Sequence, residues 1–295
     1  GTQPIGPQCI DNKENPQAYC NGLGKQQPKS THKVQYQMKT VNTQDLAQWL
    51  DSTLQVNQFK DYCPNGLQVE GKRQISHIIT GVTASEALLQ EAIRRNADAI
   101  IVHHGWFWKN ENPVVKGAKK RRLALALAHD LNIFGFHLPL DAHPEYGNNA
   151  QLGIQLGLEP LRDEAGKPVT CGPENLVWLG RCPDNRTLAT LASDTEKALK
   201  RKPLVIGNPD HKPNCIAWCT GGAQNFVEAA IERGADLFIT GEASEPNFHI
   251  ANETGVSFMA AGHHATERYG VRALGQAIQE KWGIQVDFVD LDNPI

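Results

Sequence analysis

A strand–helix–strand unit occurs twice in this chain, and the two copies align without a gap. His77–Asp98 reads HIITGVTASEALLQEAIRRNAD; Cys215–Asp236, 138 residues further on, reads CIAWCTGGAQNFVEAAIERGAD. Each copy closes on an Ala-Asp step and runs into a short apolar strand, Ala99–Val102 or Leu237–Thr240. Strands this short and this apolar fit a parallel sheet covered by helices on both faces, with right-handed crossovers. The expected fold is therefore α/β: two related α/β lobes generated by an internal repeat.

The rest of the chain fits around those units. Residues 1–37 are rich in Gln, Asn, Pro and Lys and carry no apolar period. A stretch of that kind cannot bury enough surface to order itself, so it is expected to be a disordered or appended extension, with the native chain starting at Met38. The spacing of Leu46, Trp49, Leu50 and Leu54 predicts a helix capped by Thr43. Strand Ile75–Thr80, a turn at Gly81 and helix Ser85–Arg95 make up the first copy. Residues 38–158 are read as the first lobe, 159–173, with Pro, Gly and charges, as a linker, and 174–295 as the second lobe. Helices are expected at Asn148–Leu156, Ser193–Lys200 and Val271–Lys281, and a closing strand at Val286–Val289.

The chemistry gathers where strands end. Ala99–Val102 runs directly into His103-His104-Gly105; by itself, that pair reads as one buried and one exposed ring, since strand neighbours face opposite sides. A glycine makes a break in the pleat easy, and the carboxyl ends of parallel strands are where α/β sheets place their sites. The repeat sets Gly241-Glu242 opposite His103-His104. Further on, each half has a strand, a histidine and a carboxylate four residues later: His137 with Asp141, and His263 with Glu267. With His143, His264 and His249, seven of the eleven histidines lie at such ends. Imidazoles mixed with carboxylates suit zinc, iron, manganese or nickel and supply too few oxygens for calcium. Two such sets could hold two divalent metal ions, an arrangement that activates water for hydrolysis.

Other features read as structure. The glycine turns at Thr80-Gly81 and Thr220-Gly221-Gly222 could bind anions at helix starts, but any tight strand-to-helix turn wants glycine. Lys116, Lys119, Lys120, Arg121 and Arg122 form a basic run best explained as a solvated helix face. Trp106-Phe107-Trp108 could wall a pocket or fill a seam. Apolar residues make up 40% of the chain and charged ones 21%. A net charge of −3 provides no field for nucleic acid or an acidic membrane. Seven scattered cysteines without a CxxC pair fit reduced thiols and a cytoplasmic location. No apolar run is long enough for a membrane helix.

The stretches 61–71 (DYCPNGLQVEG), 80–92 (TGVTASEALLQEA), 100–109 (IIVHHGWFWK), 137–152 (HLPLDAHPEYGNNAQL), 217–222 (AWCTGG), 239–245 (ITGEASE) and 261–270 (AGHHATERYG) together resemble the Nif-three-like dinuclear metal-centre family. Many of its members carry the name GTP cyclohydrolase 1 type 2 homologue. The resemblance runs from about Met38 to Pro294. It implies two α/β lobes, a toroidal homohexamer, and two metals in the cavity between lobes. It places metal ligands on His103, His104, Asp141, His263 and Glu267, with His137 behind them or as a weak ligand. It gives no counterpart for residues 1–37.

The expected activity is metal-dependent hydrolysis of a small phosphorylated or nucleotide-like substrate, with Glu242 or His264 as general base. The alternative is a non-enzymatic metal-handling or metal-delivery protein; a nucleic-acid clamp fits the charge poorly. Of the two carboxylates, the longer Glu267 is expected to bridge both ions and Asp141 to bind one. His263 and Glu267 are expected to share a helical turn, whereas Pro139 suggests extended spacing between His137 and Asp141.

Overall fold

The structure is a computed structural model that describes residues 37–295. The expectation for residues 1–37 lies almost wholly outside the described residues. The first half runs α1 (Thr43–Leu54), β1 (Gly66–Val69), β2 (His77–Thr83), α2 (Glu86–Arg94), β3 (Ala99–His104), α3 (Gly117–Ala128), β4 (Asn132–Gly135), α4 (Leu138–Ala142) and α5 (Asn148–Leu156). The second runs β5 (Val177–Arg181), α6 (Leu188–Leu199), β6 (Leu204–Ile206), β7 (Ile216–Trp218), α7 (Val227–Glu232), β8 (Leu237–Thr240) and α8 (Glu245–Thr254). It closes with β9 (Ser257–Ala260), α9 (His263–Thr266), α10 (Arg268–Trp282) and β10 (Gln285–Phe288).

The strands form two main sheets. One has the order β10-β2-β3-β4-β1, parallel except for β1. The other has β6-β9-β8-β7-β5, with β7, β8 and β9 parallel and both flanking strands antiparallel. Helices cover both faces of each, so the inner parallel strands are almost wholly buried and need no polar face, while β10 at the edge stays half-exposed. On the first sheet, Leu46, Leu50 and Leu54 of α1 pack with Ile78, Ile101 and Phe134, while Leu88, Leu89 and Ala126 cover the opposite face.

The Ala-Asp step recurs for a physical reason. Asp98 accepts the backbone N–H groups of Ser76 (2.8 Å) and His77 (3.2 Å), pinning the start of β2. Asp236 does the same for Asn214 and Cys215, both at 2.9 Å, ahead of β7. The preceding alanines, Ala97 and Ala235, are both buried.

The local expectations need four corrections. Asn42 caps α1, its side chain accepting from Gln44 N and Asp45 N; Thr43 lies inside the helix, its hydroxyl turned to Lys72 O. β2 does not turn at Gly81 but continues to Thr83, and Ser85 caps α2. Gly81 is there for close packing, since a Cβ would come within 2.7 Å of Leu88. The stretch Leu138–Ala142 is helical rather than extended: Pro139 falls in the first turn, where its missing N–H is no loss. Residues 159–173 carry two short strands, Glu159–Pro160 and Thr170–Cys171, that pair with β5.

Two helices also cross the boundary expected between the halves. From the first half, α5 sends Leu152 and Leu156 into the core of the second sheet beside Trp218. From the second half, α10 sends Val271, Leu274 and Ile278 into the core of the first sheet, and β10 pairs with β2. Burying each of those side chains contributes about 1.5–3 kcal/mol, so neither sheet keeps its full cover without the other half. Gly275 lets α10 approach Thr80 and Val286, whose atoms lie 3.0 Å from where its Cβ would stand. Among the described residues, no helix is long and apolar enough to cross a membrane.

Candidate metal centre

The carboxyl ends of the parallel strands in both sheets meet at one cluster. β3 delivers His103 and His104. The turn after β4 delivers His137, and α4 delivers Asp141. The start of α9 delivers His263 and, one helical turn on, its C-cap delivers Glu267. His103 and His104 converge because the strand ends there, their ring centroids 4.7 Å apart. Gly105 then admits the Gln68 side chain, which a Cβ would strike.

Glu267 is the hub. Its Oε1 lies 3.3 Å from His103 Nε2, while its Oε2 lies 3.0 Å from His104 Nε2 and 3.2 Å from His263 Nε2. Asp141 Oδ1 is 3.3 Å from the same His103 nitrogen. Of the groups whose donor atoms lie close enough to share an ion, two meet at Glu267: His103, Asp141 and Glu267, and His104, His263 and Glu267; His103, His104 and His137 make a third, and Asp61, Cys63 and His137 a fourth. The His263–Glu267 pair has the expected helical spacing.

Each donor is held from behind. His103 donates Nδ1–H to Phe136 O at 2.8 Å, which turns Nε2 toward the carboxylates. His263 Nδ1 lies 2.5 Å from Glu242 Oε1, and His104 Nδ1 lies 3.0 Å from the Thr83 hydroxyl. Asn148 and Thr220 donate to Asp141 Oδ1 at 2.9 and 3.1 Å. Fixing the far ring nitrogens and anchoring the carboxylate in this way is what metal ligands require.

The centre is also short of a cation. His103 Nε2 and Glu267 Oε2 are buried without a hydrogen-bond partner. With Nδ1–H committed to Phe136, a neutral His103 presents a lone pair to two carboxylates, and only a proton or a metal ion between them relieves the repulsion. Without a metal, protons fill the gap. Burial opposes charge on His103, yet Asp141 and Glu267 prevail and raise it to about 10. His263 is likewise raised to about 9 by Glu267 and Glu242 against burial. For His104 burial wins over Glu267 and its pKa falls. Glu267, despite complete burial, is held well below the ordinary carboxylate range by His103 and His104. The donor set therefore fits divalent ions.

The structure brings together all five expected ligands and distributes the other candidates around them. His137 has a ring nitrogen within 4.8 Å of His103 and His104. Glu242 sits behind His263 as its orienting carboxylate. His264 turns away: its Nε2 meets Asp290 Oδ1 at 2.8 Å, and it stays out of the donor cluster. His143 stacks on Tyr146, and His249 pairs with Glu245 on the surface. Lys119 and Arg121 of the basic run pair with Glu111 and Glu86.

Sequence reasoning missed Asp61. It accepts from His137 Nδ1 (2.7 Å), Tyr62 N (2.6 Å), Leu138 N (2.8 Å) and Asn65 Nδ2 (3.0 Å). Burial opposes its ionisation, but these donors bring its pKa down to about 2. In the sequence it opens the stretch 61–71 that carries part of the family resemblance, but of the residues there only the turn Pro64-Asn65-Gly66 gives a local signal. A cleft of about 580 Å³ opens over the donors, and a smaller one of about 200 Å³ reaches His104 and His263 from the other side.

The profile of the Duf34/NIF3 (NGG1p interacting factor 3) family matches residues 41–294. The chain belongs to this family. It is 51% identical over 254 residues to the GTP cyclohydrolase 1 type 2 homolog of Neisseria meningitidis serogroup B, a match covering 86% of this chain and 99% of that protein. The protein of the same name from Haemophilus influenzae is 48% identical over 255 residues, 86% of this chain and all of the relative (100%). Among solved structures, the protein ybgI, described as of unknown function, superposes with a TM-score of 0.81 at 48% identity, covering 86% and 100% of the two chains. A Thermus thermophilus protein, TTHA1606, gives 0.73 at 32% identity, again over 86% and 100%.

Proposed function

We propose that this protein is a metal-dependent hydrolase whose centre holds two divalent ions, of zinc, iron, manganese or nickel, between two related α/β lobes. The observation that carries the reading is the split of Glu267, whose two oxygens serve different donor sets. His103 and Asp141 would hold one ion, His104 and His263 the other, and Glu267 both. Bound ions of this kind supply Lewis acidity and lower the pKa of water.

The chain's own residues do the rest. Phe136 O and Glu242 fix the ring orientation of His103 and His263. Asn148 and Thr220 hold Asp141 by the same Oδ1 that faces His103. His137, with Nδ1 held by Asp61, presents its other nitrogen to the cluster and is better placed than His264 or Glu242 to move a proton at the cleft floor. The substrate class this supports is a small nucleotide-like molecule, in keeping with the name borne by the relatives. An open cleft over the donors favours turnover over the metal-delivery alternative, because a carrier needs no room for a second molecule.

The internal repeat is supported by the matching runs β2-β3-β4 and β7-β8-β9, each flanked by an antiparallel strand. A homohexamer and a cytoplasmic location belong to the same proposal and rest on the family resemblance. The test is metal analysis of protein purified without added ions, followed by a panel of nucleotides and phosphoesters with defined metals. Metal-dependent turnover supports the hydrolase; weakly held, exchangeable ions with no turnover contradict it.

A further inference from the structure

The large cleft over the metal centre has an unusual lining for a site that would receive a phosphorylated molecule. Its walls are Tyr62, Trp108, Leu138, Leu176 and Phe226, and none of its lining residues is Lys or Arg. Glu174 at the rim adds a negative charge. Phosphate recognition is built from Arg, Lys or clustered helix N-termini; among the described residues this cleft offers no Lys or Arg side chain, and on its Thr220–Ala223 wall the N–H groups of Thr220 and Gly221 are already taken by Asn149 Oδ1 and Thr266 Oγ1. Three aromatic residues around one cleft instead suit a flat ring, which stacks at low entropic cost.

The metal centre does not make up the missing positive charge. Asp141 and Glu267 lie among the donors, Glu242 stands 2.5 Å behind His263, and Asp61 stands 2.7 Å behind His137. These four carboxylates would balance two divalent ions, leaving no net charge to draw in a polyanion from a distance. Ion coordination at the floor favours a polar ring edge, such as a carbonyl or ring nitrogen. The volume of about 580 Å³ lies within the range usual for small-molecule sites.

From this lining we infer that the cleft takes an uncharged, flat nitrogen heterocycle, free or as a nucleoside, and discriminates against its phosphorylated forms. The ring lies against Trp108, with Tyr62 and Phe226 as the other aromatic walls, and its polar edge faces the metal centre. The inference rests on the two-ion reading and narrows its substrate class.

Guanosine and GTP are suitable probes because they differ only in the triphosphate. Equilibrium dialysis against metal-loaded full-length protein, freed of excess metal, should show guanosine bound at least tenfold more tightly than GTP. Trp108→Ala should weaken guanosine about tenfold. Tyr62→Ala, at a side chain already largely exposed, should weaken it severalfold without disturbing the fold. Metal content is read on every sample. Two ions retained with GTP bound as tightly as guanosine, or with no guanosine binding at millimolar concentration, overturns this inference and leaves the metal reading standing. Absence of ions from protein that still prefers guanosine overturns the metal reading while upholding the aromatic site.

Discussion

Replacing Asp61 with Asn is the most informative perturbation outside the proposed ligands themselves. The carboxylate accepts four N–H groups, two on each oxygen: His137 Nδ1 and Tyr62 N on Oδ1, Asn65 Nδ2 and Leu138 N on Oδ2. An amide can keep one of those oxygens, and its NH₂ then faces two donors. The side chain is only 2% exposed, so water does not compensate. Its pKa of about 2, against an ordinary 3.8, corresponds to about 2 kcal/mol of stabilisation by the ionised form. Loss of two hydrogen bonds to a charged acceptor gives a similar figure, about 2–4 kcal/mol. The folded pKa is depressed, so this stability is fully present above about pH 4 and is lost as pH falls toward 2. Denaturant unfolding of metal-free protein should therefore place Asp61→Asn about 2–3 kcal/mol below the parent at pH 7. The gap should narrow below pH 4, as the carboxyl of the unfolded parent takes up a proton that the folded one refuses until about pH 2. A difference under about 0.5 kcal/mol at pH 7 would refute the reasoning, as would a gap that widens in acid.

Three further outcomes follow from the same geometry. Gly221→Ala combines a φ of +76° with a Cβ that would strike Glu267 Oε1, so the variant should lose metal in elemental analysis while its circular dichroism stays near native. His103 and His263, at about 10 and 9 without metal, carry protons at pH 7. Zinc binding should expel them, and its calorimetric enthalpy should vary with the ionisation enthalpy of the buffer; at lower pH, metal affinity should fall. His264→Ala should keep its full metal content yet unfold at lower denaturant by about 1–2 kcal/mol, since it loses the contact with Asp290 rather than a ligand.

What could be read from the sequence was whatever a local pattern encodes. The His103-His104 strand end, the Ala97-Asp98 and Ala235-Asp236 steps and the His263–Glu267 turn each lie within a few residues, and periodicity or spacing exposes them. Pro139 misled because proline stops a helix only past its first turn. Asp61 could not be found, since it reaches His137 across 76 residues and a lone aspartate near a turn resembles any other. The crossing of α5 and α10 was hidden for a related reason. An amphipathic helix such as Val271–Leu274–Ile278 announces that it needs a sheet, but not which one. Repeat alignment found Glu242 but not its place behind His263, because the alignment fixes a strand end and leaves side-chain direction open.

The proposed two-ion centre stands most directly on Glu267, and metal stoichiometry of two variants tests it. Glu267→Gln removes the shared carboxylate and should deplete both ions, whereas Asp141→Asn should weaken mainly the ion it shares with His103. Inductively coupled plasma analysis of the parent and both variants, purified identically, should therefore give two, none and about one ion per chain. Equal single-ion losses in the two variants would contradict the shared role of Glu267.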